Sequence, residues 1–392
     1  MLSKNYKRIR VLHLVQSLGV GGAEVLLFHY INALGKDRYK HYVYIFGHKE
    51  ILIDRLKASG IPVFLGPKRK SIKNPIKFGI YLICLIGNLI RFIKKNRIQI
   101  IHSHLSNANQ LAVAVGRLTG IPAFPTIHNT MAFLDRRNPW DLRVHLVKAV
   151  NAVVYRTAVK VIAVSQEIKE IVQKNYGLPE SKVVVLKNGI CLGDTKIEPV
   201  KLEQEFHISS TTLKLIAVGT LSYQKAFEVL IRASVELKNR NIVKFVVLIV
   251  GEGEDRKDLE KLIRDLKIEN HIKLLGIRND VMGLMKSCDI FVMSSRYEGL
   301  SIAMIEAMAC GLPLVASDAP GIRDYIKHEQ NGLLFPIEDH KVLAEHMLWL
   351  IKDKGMRGAL SNEARKCFEN EYNMHKNIKP LDLVYQKYAS VV

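Results

Sequence analysis

The chain alternates short apolar runs typical of buried strands with longer segments of helical periodicity, and it does so twice. In the first half, runs such as 9–15, 42–46 and 98–104 are each followed by a helical segment. After a polar stretch at 191–212, the alternation begins again at Leu213 and continues to Asp318. Strands that alternate with helices indicate a parallel sheet covered on both faces. We therefore predict an α/β fold with two Rossmann-like, doubly wound domains.

The length of the chain also favours two domains, since 392 residues exceed the roughly 250–300 at which a single core stops growing. We expect a first domain at 1–190, a linker at 191–212 and a second domain at 213–370. A C-terminal helix within 371–392 is expected to pack back toward the first domain. Ligands of such sheets bind beyond the carboxyl ends of the strands. Two facing domains would therefore form a cleft between them.

Basic residues are concentrated in the first half. Residues 1–190 contain 30 Lys and Arg against 9 Asp and Glu, whereas residues 191–392 contain 28 of each. This asymmetry is typical of a protein with an anionic partner, such as a membrane surface, a phosphorylated acceptor or a nucleic acid. A lysine-rich proteome is the alternative, but it should affect both halves. Aromatic residues are only 7% and no nucleic-acid-binding signature occurs, which disfavours nucleic acid.

The remaining composition argues for a cytoplasmic protein. Five scattered cysteines, never in a CxxC pair, suggest neither a disulfide framework nor a zinc site. The N-terminus has no apolar signal segment. The longest apolar run, 78–90, is shorter than the about 20 residues that span a bilayer, so no transmembrane helix is expected. The helix predicted at Pro75–Lys95 most simply covers the sheet, and docking on anionic lipid is the alternative.

A glycine-rich loop follows the first strand. The segment Gly19–Glu24 is similar to the dinucleotide fingerprint GxGxxG, but Glu24 takes the third glycine position, so the nicotinamide interpretation is weak. Gly21 and Gly22 would still allow a phosphate to approach the N–H groups at the start of a helix. A tight turn without a ligand is the alternative.

The strongest motif places two glutamates, Glu298 and Glu306, after the strand-like run 289–295. The first should lie in the loop after the strand and the second about one turn into the following helix. Both can then face a ligand at the helix N-terminus, where free backbone N–H groups point. A salt-bridged surface helix is the alternative, but the residues around Glu306 are small and apolar, and a buried carboxylate needs a partner.

These motifs belong to a series that resembles the retaining glycosyltransferases of family 4, a large bacterial group that includes exopolysaccharide, capsule and lipopolysaccharide assembly enzymes. The matching segments occur in the family's order over nearly the whole chain and are Gly21–Glu24, Thr126–His128, Ala163–Lys169, Lys187–Ile190, Val218–Lys225, Gly251–Gly253, Leu275–Asp280, Glu298–Asp318 and Asn331–Pro336. The resemblance implies a GT-B fold, in which two Rossmann-like domains face each other.

By this resemblance, His128 would approach the transferred sugar, Lys225 would neutralise the diphosphate and Glu298 would bind hydroxyls of the donor sugar. Glu306 would hold the ribose. The other implied donor-binding positions are Gly21, Gly22, Thr220, Ile277, Arg278, Gly299, Leu300 and Ser301, of which Ile277 and Arg278 correspond to the base-binding loop.

Two positions depart from the family pattern. Thr220 stands where the family usually has a basic residue, and Ala226 stands where it usually has glycine. The loss of a planar phosphate donor such as Arg is not a conservative change. Either Lys225 suffices together with helix dipoles, or another cation such as Arg296 or Arg278 substitutes.

A metal site is not expected. His102 and His104 lie two residues apart on a predicted strand and so share a face, but no third ligand of suitable spacing stands nearby and no DxD motif occurs. Ser165 is interpreted as a turn residue rather than a nucleophile.

The sequence thus predicts a retaining, metal-independent glycosyltransferase. It would move a hexose or N-acetylhexosamine from a nucleoside diphosphate sugar, with UDP-sugars ranked first, to a lipid-linked or growing saccharide. The expected place is the inner face of the cytoplasmic membrane, where the anionic surface is a partner. Alternatives are a sugar phosphorylase or nucleotide-sugar 2-epimerase of the same fold, an inactive nucleotide-sugar sensor, and a nucleic-acid-binding protein.

Overall fold

The structure is a computed structural model that describes residues 8–18, 22–47, 53–67, 74–128, 142–192, 197–240, 244–298 and 301–389. The chain divides into two compact units. The first unit is Met1–Cys191 with Met374–Val392, and the second is Leu192–Asn373. Each unit is an α/β domain with a parallel sheet, as the alternating sequence pattern predicts.

Within its described residues, the first unit contains a seven-stranded sheet in the order β3-β2-β1-β4-β5-β6-β7. The strands are β1 Ile9–Val15, β2 Tyr39–Ile45, β3 Val63–Leu65, β4 Ile100–His104, β5 Ala123–Ile127, β6 Val161–Ala163 and β7 Val183–Val185. The helices between them are α1 Gly22–Leu34, α2 Ile53–Ala58, α3 Pro75–Asn96, α4 Ser106–Thr119, α5 Leu142–Thr157 and α6 Gln166–Tyr176. Chain order reverses between β1 and β4, and such a reversal, or switch point, is where ligands of doubly wound sheets bind.

The second unit repeats this plan with a six-stranded parallel sheet, counted over the part of the chain that the structure describes, in the order β10-β9-β8-β11-β12-β13. Its strands are β8 Leu213–Val218, β9 Phe245–Val250, β10 Ile272–Gly276, β11 Ile290–Met293, β12 Leu314–Ser317 and β13 Leu333–Phe335. Its helices are α7 Leu202–Phe206, α8 Phe227–Asn239, α9 Arg256–Asp265, α10 Val281–Lys286, α11 Ile302–Cys310, α12 His340–Lys352 and α13 Lys354–Cys367. The switch point lies between β8 and β11.

The polar segment expected to be a linker is largely part of the second unit, so that boundary is corrected. Residues 197–212 include α7, whose Leu202 is buried. The Val200 backbone N–H donates to the Gly283 carbonyl at 3.2 Å. A few apolar side chains and backbone hydrogen bonds therefore attach this segment to the second unit, although its sequence lacks helical periodicity.

The C-terminal residues belong to the first unit. Two helices, α14 Met374–Asn377 and α15 Lys379–Ala389, follow the second unit. The Met374 N–H donates to the Ile190 carbonyl at 3.0 Å. On α15, Tyr385 is fully buried, and the Asp382 carboxylate accepts a hydrogen bond from the Tyr39 hydroxyl. Buried contacts thus hold the end of the chain to the first sheet.

Helix α3 is long and apolar enough to cross a membrane by length and composition alone, although the apolar run in its sequence ends at residue 90. The expectation that it does not span a membrane stays a prediction. Asn74 caps its first turn by accepting from the Ile76 N–H at 2.9 Å. One face carries Leu85, Leu89 and Ile93 into the core of the first unit. The predicted sheet-covering helix is therefore present, and its other face is exposed.

Candidate functional site

The loop after β8 carries Lys225 and is fixed by backbone contacts with the next loop. The Leu221 N–H donates to the Glu252 carbonyl at 3.0 Å, and the Asp255 N–H donates to the Leu221 carbonyl at 3.1 Å. A Cβ at Gly251 or Gly253 would lie 1.9 Å or 2.1 Å from the carbonyl oxygens of Gly219 and Leu221. Only glycine permits this approach, so the two glycines of the segment Gly251–Gly253 allow it to pack closely against the loop after β8.

Lys225 and Glu298 meet at the switch point of the second sheet. They follow β8 and β11 respectively, and the lysine Nζ lies 2.5 Å from the glutamate Oε1. The Lys225 side chain is 16% exposed and the Glu298 side chain only 4%. The Ser295 hydroxyl donates to the same Oε1 at 2.6 Å. The ion pair thereby compensates a buried carboxylate, and the remaining ammonium hydrogens can still donate to a ligand.

The helix after this pair begins where the motif predicts. Ser301 is the N-cap of α11, and its hydroxyl accepts from the Met304 N–H. Glu306 lies within α11, just beyond its first turn, and is half-buried. Gly299 and Leu300 lie outside the described residues. The N-terminus of α11 thus follows Glu298 closely in the chain, and the dipole at such a helix end favours an anion.

Both arginines considered as substitutes for a cation at position 220 are already paired with carboxylates. Arg278 contacts Asp280 at 2.7 Å and Glu205 at 2.5 Å. Arg296 contacts Glu228 at 2.6 Å and Glu338 at 2.5 Å, and it stacks on the ring of Tyr223. Their charges are therefore offset by partners of their own. Each arginine contacts two carboxylates, whereas Lys225 contacts one, Glu298, among the described residues, and this difference disfavours the substitution.

Two of the other donor-binding candidates lie at the surface of described loops. Thr220 and Ile277 are exposed. Gly22 begins α1, whereas Gly21 lies outside the described residues. The phosphate role expected for the first glycine loop therefore stays a prediction.

His128 follows β5 in the first unit and is hydrogen-bonded to a second histidine. Its Nε2 lies 3.2 Å from the Nδ1 of His104. Burial lowers the pKa of His128 to about 4. The side chain is therefore neutral near pH 7 and can offer one N–H donor and one lone pair.

His128 belongs to a histidine cluster that consists of His13, His41, His102, His104 and His128. His13 Nε2 lies 3.0 Å from His41 Nδ1, and His102 contacts the hydroxyls of Thr126 at 2.6 Å and Tyr385 at 2.5 Å. Burial lowers the pKa of His13, His102 and His104 well below the ordinary value, and neighbouring histidines lower it further. The cluster is thus a set of neutral imidazoles.

Sequence spacing missed part of this cluster, and the statement that no third metal ligand stands near His102 and His104 is wrong. His13 on β1 lies in register with His102 on β4. One ring nitrogen from each of the three lies within 4.8 Å of the others. The expected fold could have indicated His13, because β1 and β4 are neighbours in the strand order of doubly wound sheets. Spacing along one strand does not reveal a ligand on the next.

Two family models match successive parts of the chain. Residues 20–193 match "Glycosyltransferase Family 4", and residues 201–367 match "Glycosyl transferases group 1". HepE from Anabaena, solved with UDP, has the same fold, with a TM-score of 0.77 and 21% identity over 97% of this chain and 100% of that one.

Curated relatives include an uncharacterised glycosyltransferase of Methanocaldococcus jannaschii, 32% identical over 61% of this chain and 63% of the relative, so the match spans less than two thirds of that protein. The UDP-Gal:alpha-D-GlcNAc-diphosphoundecaprenol alpha-1,3-galactosyltransferase of Escherichia coli is 26% identical over 76% of this chain and 78% of its own. The N,N'-diacetylbacillosaminyl-diphospho-undecaprenol alpha-1,3-N-acetylgalactosaminyltransferase of Campylobacter jejuni is 26% identical over 91% and 94%. With two Rossmann-like sheets and both family models matched, the chain belongs to the family 4 glycosyltransferases of GT-B fold.

Proposed function

We propose that this glycosyltransferase moves a hexose or N-acetylhexosamine from a nucleoside diphosphate sugar to a lipid-linked or growing saccharide in surface polysaccharide synthesis, with retention of configuration and without a metal ion. The observation that carries the proposal is the Lys225–Glu298 pair at the switch point of the second sheet. A cation and a carboxylate placed side by side can bind adjacent parts of one donor, the diphosphate and the sugar hydroxyls.

Lys225 stabilises the departing diphosphate in this proposal. As the bond between the anomeric carbon and the β-phosphate oxygen breaks, negative charge builds on the phosphate. The Lys225 ammonium and the N-terminus of α11 offset that charge electrostatically. Glu298, once its partner turns to the phosphate, accepts hydrogen bonds from the sugar. Glu306 accepts hydrogen bonds from the ribose.

Retention follows if the acceptor attacks from the face that the phosphate leaves. The acceptor oxygen then forms the new bond to the anomeric carbon, and the leaving phosphate oxygen takes the acceptor proton. No covalent side-chain intermediate is needed, and Glu298 keeps an orienting role. Neutral His128 donates its N–H to the transferred sugar, since a ring that stays uncharged near pH 7 cannot act as a strong acid.

UDP-sugars are the first donors to test. The Escherichia coli relative carries UDP-Gal in its name, at 26% identity. Hydrolysis and thermal shift with UDP-, GDP-, ADP- and dTDP-sugars will identify the donor. Turnover of any of them excludes an inactive sensor, and NMR of the new linkage decides between retention and inversion. Transfer that persists in excess chelator, with no gain from added Mg²⁺ or Mn²⁺, supports metal independence, whereas an absolute requirement for either ion contradicts it.

The two glutamates test the proposed division of labour. Glu298→Gln should lower turnover more than affinity for the free nucleoside diphosphate, because the sugar is absent from that ligand. Glu306→Gln should weaken that affinity through the ribose. Isothermal titration with the nucleoside diphosphate and steady-state kinetics measure the two effects. Equal behaviour of the two variants would contradict the assignment.

The acceptor is proposed to be a polyprenyl-diphosphate-linked saccharide, because two relatives of 26% identity are named for diphosphoundecaprenol acceptors. Helix α3 supports peripheral docking on the anionic inner leaflet. Its exposed face carries Ile76, Ile80 and Ile83, which are 73%, 57% and 72% exposed. Exposed Arg91, Lys94 and Lys95 lie toward its C-terminus. An apolar face with a basic end suits an anionic lipid surface, where each basic residue contributes about 1 kcal/mol.

Flotation with liposomes of increasing anionic lipid content tests the docking. Binding should weaken as salt rises, because screening shortens the range of electrostatic attraction. The triple variant Ile76→Ser, Ile80→Ser, Ile83→Ser should float less than a control with Leu383→Ser, another exposed apolar residue of the first unit. Flotation that ignores lipid charge, or retention on DNA but not on liposomes, would contradict membrane docking.

A further inference from the structure

Three histidines converge inside the first unit. His13 lies on β1 and His102 and His104 lie on β4, and the two strands are parallel neighbours. All three side chains are buried, and one ring nitrogen of each lies within 4.8 Å of the other two. The register of two sheet strands therefore brings three imidazoles close together.

Two of these imidazoles carry a buried nitrogen that makes no hydrogen bond. His13 Nδ1 and His104 Nε2 have no partner among the residues that the structure describes. A buried polar atom without a partner is costly, so such atoms call for a water molecule or an ion.

The opposite ring nitrogens are already oriented by neighbours. His13 Nε2 lies 3.0 Å from His41 Nδ1, and His104 Nδ1 lies 3.2 Å from His128 Nε2. If these two nitrogens carry the N–H, the unpartnered nitrogens carry lone pairs that can bind a ligand. Metal-binding histidines commonly have this arrangement, in which the second N–H is held by a neighbour.

His102 offers a third imidazole, but both of its ring nitrogens already contact hydroxyls. Its Nε2 contacts Thr126 and its Nδ1 contacts Tyr385 on α15. Either hydroxyl can be replaced at that nitrogen by a coordination bond, while the other keeps the ring in place.

We propose that His13, His102 and His104 bind one divalent transition-metal ion of the zinc type, with a water molecule at the fourth position. Imidazole ligands suit zinc, cobalt, nickel and copper, whereas Mg²⁺ and Ca²⁺ prefer oxygen ligands. The ion would tie β1 to β4 and, through His102 and Tyr385, would influence α15. The ion would not contact the Lys225–Glu298 pair of the second unit, but His104 also contacts His128, the histidine proposed to bind the transferred sugar.

The test measures metal binding by the full chain without a polyhistidine tag. Protein stripped with chelator is dialysed against Zn²⁺ or Co²⁺, the bound metal is counted by mass spectrometry, and the visible spectrum of Co²⁺ reports its ligand geometry. The wild type should hold about one ion per chain, show a tetrahedral Co²⁺ spectrum, and gain thermal stability on metal addition.

Two conservative variants remove one ligand atom each. His13→Gln can keep a donor to His41, and His104→Asn can keep a donor to His128. Each should lower metal affinity at least about tenfold, as even changes to second-shell partners do. His346→Asn, a half-buried histidine of the second unit, is the matched control and should bind like the wild type.

Two results would overturn the proposed metal site. Binding that His13→Gln and His104→Asn leave unchanged would assign the metal elsewhere and overturn the proposal. Failure of the folded wild type to bind, with no rise in melting temperature, would also overturn the proposal. If the variants do not fold, the wild-type Co²⁺ spectrum and melting shift still decide.

Discussion

Both sheets have a switch point, but the side chains there differ in kind. At the switch point between β1 and β4, the first unit has neutral, buried histidines. They contact one another and the hydroxyls of a tyrosine and a threonine. Between β8 and β11 of the second unit lies a lysine paired with a buried glutamate. The same topology thus holds an uncharged cluster in one unit and an ion pair in the other.

This comparison separates net charge from the location of charge. The first half of the sequence carries the entire basic excess, yet the interior of its switch point is neutral. The second half has balanced charge, yet it places a cation and a helix N-terminus at its switch point. Overall charge is therefore the basis for the anionic partner proposed for the first unit. The local ion pair is the basis for the diphosphate site proposed in the second unit.

The largest expected effect that separates the two regions is acid sensitivity. Burial lowers the pKa of His41 and of His128 to about 4, whereas the ordinary pKa of histidine is near 6.5. Below pH 6.5 the unfolded chain therefore binds protons that these two histidines do not bind in the folded chain. Stability should therefore rise with pH across this window and be lost as pH falls from about 6.5 to about 4. Each of these two residues accounts for about 3 kcal/mol at the lower end.

Hydrogen exchange in chelator-containing buffer measures this effect in each unit. Peptides from β1 and β4 should lose protection between pH 6.5 and pH 4.5 before those from β8 and β11. Simultaneous loss in both sheets, or stability that does not change over this range, would show that the histidine cluster does not control acid unfolding.

The next largest effect concerns Lys225. Lys225→Ala should lower kcat/KM about a hundredfold, equivalent to about 3 kcal/mol, as expected for loss of one preorganised electrostatic group. Steady-state kinetics with the identified donor measure it. Lys261→Ala, an exposed lysine on α9, is the matched control and should leave kcat/KM unchanged.

Loss of Lys225 also leaves the buried Glu298 carboxylate without its cation, which should lower the melting temperature. The double variant Lys225→Ala, Glu298→Gln should recover stability but not activity. Recovery of both would mean that the lysine serves only to neutralise the glutamate.

Sequence pattern predicted the two sheets well because strand and helix periodicities depend on local spacing. It also placed Glu298 before α11 and Glu306 within it, since a strand-to-helix loop fixes both positions. The partnership of Lys225 with Glu298 was not predicted, because it joins loops 73 residues apart. The same limit hid His13, whose neighbour His102 lies on another strand.

Composition was a weaker guide than pattern. The segment 197–212 appeared polar enough for a linker, but a few buried side chains attach it to the second unit. Arg278 and Arg296 appeared suitable to replace a basic residue at position 220, but each is held by two carboxylates. Contacts between distant segments, which sequence spacing does not encode, decide both cases.

A smaller effect is expected at Thr220. Thr220→Arg should raise kcat/KM about tenfold, because a guanidinium can bind a phosphate with two parallel hydrogen bonds, and a tenfold gain corresponds to about 1.4 kcal/mol. Thr220→Ala is the control and should change little, since the exposed threonine carries no charge. Equal kinetics for the arginine variant and the wild type would mean that Lys225 and the helix terminus already supply the necessary charge.

The smallest effect concerns backbone strain beside Lys225. Ala226 has a φ of 47° and is fully buried, and left-handed backbone costs a residue with a Cβ about 1–2 kcal/mol. Ala226→Gly should relieve that strain, which stabilises the folded state. The variant also loses a buried methyl group and gains chain entropy in the unfolded state, and both effects destabilise it. Because these effects oppose each other, the unfolding free energy should change by less than about 0.5 kcal/mol. Ala233→Gly, equally buried but inside α8, has no such strain to relieve and should lose about 1–2 kcal/mol. Urea unfolding of both variants measures the difference. Equal losses at the two positions would show that the left-handed turn before α8 stores no strain, and that the departure from the family glycine costs the chain nothing.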